Sequence, residues 1–185
     1  DSAKTGTMGD LLELKGKAAG MGKQNSGTLG SNKVLLAGLG IDMEKDYELM
    51  HAGYGPTADA LANGQIATAG IPSGPPTGAI TKLMAANEGK FTLLNATEEQ
   101  AKKMDGGRSL WTPYTIAAGT YPGQDKDVNT VAQPNFLAVN ANVDEEHVYQ
   151  LTKTIFENLP FLQAIHKATK AMDVKKAMAG LPVPL

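Results

Sequence analysis

Short apolar runs alternate along the chain with segments that repeat apolar residues at helical spacing, and this alternation predicts an α/β fold. "KAAGMG" (residues 17–22) predicts a first strand of small residues. A polar loop follows, then a helix over residues 27–39, with Gly38 and Gly40 ending it as glycine does at helix C-termini. "DYELMHA" (46–52) predicts the next strand. "GPTADALANG" (55–64) predicts a short helix, with Pro56 in its first turn and Gly64 as its stop. "QIATAGI" (65–71) reads as a buried strand, and after the turn-rich "PSGPP" a helix is expected over 77–87. "KFTLLNA" (90–96) is expected as a strand and "TEEQAKKMD" (97–105) as a charged helix.

From Trp111 the pattern changes. "WTPYTIAAGTYPGQDKDVNTV" (111–131), rich in Pro, Gly, Thr and Tyr, reads as extended chain with turns. "NFLAVNA" (135–141) predicts a strand. The strongest helical signal comes next: Val148, Leu151, Ile155 and Leu159 share one apolar face, and Asp144, Glu145 and Glu146 sit at its N-terminus, where carboxylates suit the helix dipole. A final helix is expected over 161–172. No internal repeat interrupts the pattern. The fold class expected is α/β, a mixed sheet flanked by helices.

Composition narrows the function classes. Lys plus Arg number 17 against 19 Asp plus Glu, so the chain has no basic excess for nucleic acid. Arg108 is the only arginine, which matters because bidentate carboxylate clamps usually use Arg. The absence of cysteine excludes disulfides, thiolate metal sites and a Cys nucleophile. No apolar run approaches the roughly 20 residues that span a bilayer. The start at Asp1, without a signal-like stretch, and the ending "GLPVPL" are expected in a chain processed, trimmed or cut from something longer.

His51, His147 and His166 lie far apart, without metal-binding spacing, and neither a GxSxG elbow nor a Walker loop is present. The loop Asn25-Ser26-Gly27-Thr28 is more informative. It follows a predicted strand and opens a helix, whose first backbone N–H groups have no internal partner. Gly27 allows close approach of a ligand, and Ser26 and Thr28 add hydroxyls. Such a loop suits a carboxylate or phosphate, at the strand end where α/β sheets bind ligands. The plainer alternative is an N-cap in which Ser26 closes the helix. "AGIPSGPPTG" (69–78) is a second strand-to-helix loop, expected at the same sheet edge. "AAGTYPGQ" (117–124) is a third candidate, with Tyr121 as an aromatic wall and Gln124 as an amide, or as a structural turn.

Those three stretches, in that order, resemble the TAXI family, the extracytoplasmic solute receptors of tripartite ATP-independent periplasmic (TRAP) transporters. "LKGKAAGMGKQNSGT" (14–28) is similar to the family's D-L-K-G-K-x-x-x-x-G-x-x-x-S-G-T. "ADALANGQIATAGIPSGPP" (58–76) is similar to A-x-x-D-G-x-I-D-A-x-x-x-x-G-x-P. The segment 114–159 matches best, with I-P-A-G-T-Y-P-G-Q, a strand, and a V-Y-x-x-T-K-x-x-F-E-N helix. The resemblance implies a type II periplasmic binding protein fold, in which two α/β lobes close on a solute. Departures are the lack of the family's Gly-rich G-T-G-G-x-Y-type opening motif and of its H-P-G-A segment after "LPVPL", and Lys23 and Asn25 where Pro and Gly-type residues are common. Residues 1–142 are therefore expected to form the second, ligand-cleft lobe, and 143–185 to be helices that pack on it or return toward a first lobe.

A receptor of this kind implies binding without catalysis, cofactor or metal. The ligand-binding residues it implies are Asn25, Ser26, Gly27, Thr28, Gly70, Pro72, Ser73, Gly74, Pro75 and Tyr121. The ligand implied is a small carboxylate-bearing solute, an amino acid such as glutamate or glutamine or a dicarboxylate, held by backbone N–H groups and hydroxyls. In other TRAP receptor families an Arg commonly clamps the substrate carboxylate, whereas Arg108 lies in the polar run "DGGRSLW". The partners implied are membrane permease subunits and not nucleic acid, in the periplasm of a bacterium or an archaeon. A lone lobe would bind solute weakly and self-associate through its exposed strands. The alternative is the effector-binding domain of a LysR-type regulator, which shares the fold but carries a helix-turn-helix with no counterpart here. An enzyme of the same fold, such as hydroxymethylbilane synthase or a thiamine-precursor protein, would need Cys, His or basic cofactor contacts that this sequence does not place.

Overall fold

The computed structural model describes residues 3–178, so the ending "GLPVPL" lies outside the described residues. The chain forms two units, Asp1–Ala132 and Gln133–Leu185.

The first unit is built on three short parallel strands, β1 (Ala18–Gly20), β2 (Glu48–Met50) and β3 (Thr68–Ala69), in the order β2-β1-β3. Ala19 pairs with Leu49 on one side and Thr68 on the other. Small residues in β1 follow from this central position. Ala19 is fully buried, and a Cβ on Gly20 would lie 2.5 Å from Thr57 Cγ2. Helix α1 (Gly27–Gly38) follows β1, α2 (Met43–Asp46) precedes β2, α3 (Tyr54–Ala62) follows β2, and α4 (Gly78–Ala86) follows β3. All three strand-to-helix loops therefore leave from the carboxyl edge of the sheet, the edge at which open α/β sheets bind ligands.

The core beside the sheet gathers Leu11, Leu14, Ala19, Met21, Leu36, Ile41, Met43 and Tyr47. Leu11 and Leu14 come from a 3-10 turn, Met8–Leu14, which the sequence pattern did not reveal. The Tyr47 hydroxyl donates to Leu11 O at 2.7 Å, and burial pushes its phenol up to about 12. Helix α5 (Glu98–Asp105) opens with a Thr97/Gln100 capping box and closes on Gly106 in the left-handed region, φ 61°. Gly38 belongs to the last turn of α1 and does not stop it; a side chain there would run into the Lys103 carbonyl of α5. The turn after α1 is made at Gly40, φ 79°.

Residues 111–132 form an antiparallel pair, β4 (Thr112–Ile116) with β5 (Val128–Ala132). Among the described residues each is laddered with the other alone, so Pro113 can face away from the ladder. The α/β class with helices flanking a small sheet is as the sequence pattern predicts, with parallel and antiparallel pairs in separate sheets. The strand expected over 90–96 does not form. Its backbone is tied in two directions without a ladder: Asn95 N–H donates to Gly6 O at 2.8 Å and Asn95 O accepts from Met8 N–H at 2.9 Å, while Ala96 N–H donates to Asn129 O at 2.8 Å.

In the second unit, the strand expected over 135–141 has no ladder, and Phe136, Leu137 and Val139 are exposed. Helix α6 (Glu145–Glu157) is capped by Asp144, whose carboxylate accepts from the amides of Glu146 and His147. The final helix is shorter than its pattern. Helix α7 (Leu159–Ile165) ends at His166, which turns extended and caps the 3-10 turn Lys167–Ala171 through Nδ1. None of the described residues of this unit is buried.

Candidate functional site

The loop after β1 is shaped by backbone requirements. Gly22 has φ 113°, and a Cβ there would lie 2.7 Å from Thr28 Cγ2, so glycine is required on both counts. Asn25 takes the left-handed conformation, φ 57°, which Asn tolerates better than most residues. Ser26 then caps α1. Its Oγ donates to Lys23 O at 2.7 Å and accepts from Leu29 N–H at 3.2 Å. The Ser26 carbonyl takes the Gly30 amide. The amides of Gly27 and Thr28, first in the helix, are left for water or a ligand.

The loop after β2 meets this one. Its helix, α3, is capped by Gly53 without any side-chain hydrogen bond, so the amides of Tyr54 and Gly55 are also unserved. His51 Nδ1 lies 3.2 Å from Gly22 O, and because a carbonyl only accepts, that nitrogen carries the proton. The Lys23 side chain lies over Gly53, where a Cβ would be 3.1 Å from Lys23 Cε. Lys23 makes no ion pair with a described residue. Gly22, Lys23, Ser26, Thr28, Ala52, Gly53 and Tyr54 together line a cavity of about 210 Å³.

The loop after β3 is tied to the other two by side chains. Asn32, buried on α1, donates through Nδ2 to Met21 O and to Gly70 O, both at 3.0 Å. The Tyr54 hydroxyl donates to Pro72 O at 2.8 Å and lies 3.1 Å from Thr28 Oγ1. Further along, Thr77 N–H donates to the Tyr121 hydroxyl at 3.0 Å.

These positions sort the residues read from the sequence. Ser26 and Thr28 line the cavity. Gly27 contributes an amide beside it, and Asn25 makes the turn before it. Gly70 lies beneath Asn32, and Pro72 reaches the cavity through Tyr54. Ser73, Gly74 and Pro75 are in the same loop but not in the lining. Tyr121 is buried, with its hydroxyl on the α4 N-terminus. Gln124 is buried beside it and donates to the carbonyls of Ile116, Ala117 and Lys126. Arg108 donates to Met104 O at 3.0 Å, at the end of α5. Gly22, Lys23, Ala52, Gly53 and Tyr54 were not read as site residues. The signal for the last three was available, because "HAGYGP" leaves the same sheet edge as the two loops that were chosen.

Among the described residues no group of acidic, His or Cys side chains could hold a metal ion. The cavity is lined by residues that open α1 and α3 and by Lys23, and helix N-termini are places that suit a small anion. No helix among the described residues is long and apolar enough to cross a membrane. In comparison with known proteins, the model of the NMT1-like family matches residues 2–185.

Proposed function

The chain belongs to the NMT1-like family, a periplasmic-binding-protein-like family of solute-binding proteins, and from that premise we propose that it is an extracytoplasmic receptor of the TAXI type. It binds a small carboxylate-bearing solute and delivers it to the membrane permease of a TRAP transporter. The motifs at residues 14–28, 58–76 and 114–159 support that finer assignment. The observation that carries the binding role is the meeting of two unserved helix N-termini, those of α1 and α3, with the Lys23 ammonium at one cavity.

A carboxylate in this cavity accepts from the amides of Gly27 and Thr28 and lies beside Lys23. Helix N-termini favour negative charge by roughly 0.3–1 kcal/mol each when exposed. The volume of about 210 Å³ is below the roughly 300–1,000 Å³ of drug-sized sites and suits a solute the size of glutamate, glutamine or a dicarboxylate. The first unit acts as the ligand-cleft lobe. The three loops form one wall of the cleft, and the ties at Asn32 and Tyr54 keep that wall rigid.

Thermal unfolding with L-glutamate, L-glutamine and succinate at tens of millimolar tests the reading. A ligand of the native state stabilises by RT ln(1 + [L]/Kd), about 2.7 kcal/mol at a hundredfold excess over Kd. At least one of these solutes is expected to raise Tm, and Lys23→Met to diminish the rise. No rise with any of the three, against a matched-salt control, would contradict the assignment.

A further inference from the structure

Charge is spread unevenly along the chain. Residues 159–178 hold four Lys and one acid, Asp173, whereas the residues before them hold 13 Lys plus Arg against 18 Asp plus Glu. The four are Lys167, Lys170, Lys175 and Lys176, and none makes an ion pair with a described residue. Lys167 and Lys170 stand three apart in the 3-10 turn Lys167–Ala171 and so share one side of it. Lys175 and Lys176 lie in a further 3-10 turn, Val174–Lys176. Asp173 is its cap, with a carboxylate that accepts from Lys175 N–H at 2.9 Å.

The same segment is apolar where it is not basic. Phe161, Ile165, Val174 and Met178 are each more than half exposed. Phe161 and Ile165 are four apart in α7 and lie on one face of it. Other exposed apolar stretches of this unit lack the unpaired lysines. Residues 133–143 expose Phe136, Leu137 and Val139 without any charged residue. Helix α6 exposes Tyr149 and Leu151, but it opens on acidic residues, Glu145 and Glu146, after the Asp144 cap. Exposed apolar side chains interspersed with lysines match a surface that is apolar at depth and negative above, as a bilayer with anionic headgroups is. Lysine stems reach from the apolar level back to the phosphates.

We propose that residues 159–178 dock on an anionic phospholipid surface. Phe161, Ile165, Val174 and Met178 enter the acyl boundary, and the four lysines lie at the headgroup phosphates. Neither contribution alone gives more than marginal binding, so the contact is reversible. The segment shares no residue with the cavity, so the proposal stands apart from the solute reading.

Co-sedimentation of the whole chain with lipid vesicles is the test. Wild type is expected to bind vesicles of phosphatidylcholine mixed with phosphatidylglycerol, to leave vesicles of pure phosphatidylcholine unbound, and to be released as salt is raised. The double variant Lys175→Gln with Lys176→Gln should bind the mixed vesicles about tenfold or more weakly, because each lysine near an anionic surface contributes about fivefold. Phe161→Ser with Ile165→Ser should weaken binding without any change of charge. A circular dichroism spectrum like that of wild type is the control for each variant. No binding of wild type to the mixed vesicles, equal binding to pure phosphatidylcholine, or binding that the Phe161 and Ile165 substitutions leave intact would overturn the proposal. So would self-association of wild type that the lysine variant abolishes, which would give the face to a second copy of the chain.

Discussion

Asn32 joins the ends of two strands, and no local pattern could have announced it. Its Nδ2 donates to Met21 O and Gly70 O, partners 11 and 38 residues away. Asn32→Ala leaves both carbonyls without that donor, at about 1–3 kcal/mol for each buried acceptor left unpaired. Gly70→Ala brings a Cβ within 2.5 Å of the same amide and costs about 1–3 kcal/mol of overpacking. Urea unfolding should show both losses as a lower midpoint with an unchanged slope. Asp105 does similar work in a loop. Its carboxylate accepts from the amides of Trp111, Ser109 and Leu110, and those bonds, Trp111 first, hold its carboxyl below the usual range. A lowered folded value means that the stability Asp105 contributes is present above its unfolded value, about 3.9, and is lost as pH falls through the folded one. Tm followed from pH 5 to pH 2 should drop less steeply in Asp105→Asn than in wild type. The Ser26 cap was legible because a cap is local, read from Ser26 and the three residues after it. Tyr54 was not, because its partners Thr28 and Pro72 lie on two other loops.

Helices were read more faithfully than strands. Helices α1, α5 and α6 carry their own side-chain caps, and these three with α3 and α4 each formed within a few residues of the expected bounds. A strand requires a neighbour. Residues 90–96 and 135–141 have strand-like composition, yet neither is paired in a ladder. Gly38 shows the same dependence on neighbours. It was read as a helix stop, but it is the point at which α5 approaches α1. Gly38→Ala should therefore destabilise by about 1–3 kcal/mol, although alanine is the better helix former. Thr97→Ala removes one half of the capping box and should cost about 1 kcal/mol. Paired urea curves on the two variants separate the readings, since a Gly38 that only punctuates the helix would give a neutral or stabilising alanine.

At the scale of the molecule, the two units differ in kind. The first has a core around β1 with Ala19 fully buried, whereas the described part of the second has no buried residue and exposes Phe136, Leu137, Phe161 and Ile165. Amide exchange should therefore be slow in β1 and α1 and fast in α6, because local stability follows buried apolar contact. The expectation that the chain pairs with itself through exposed strands remains a prediction, to be read by sedimentation at increasing concentration. The α/β class and the strand-to-helix loops at the carboxyl edge of the sheet were legible from the alternation of elements. The composition of the cavity was only half legible, because its second loop is brought to the first by the pairing of β1 with β2. We propose that the loops after β1 and β2 form the solute site. The most direct test is to map amide shifts in a 15N spectrum while L-glutamate is added. The largest shifts are expected on Gly22, Gly27, Thr28, Gly53, Tyr54 and Gly55. Shifts centred elsewhere, on α6 or on the β4–β5 pair, would contradict it.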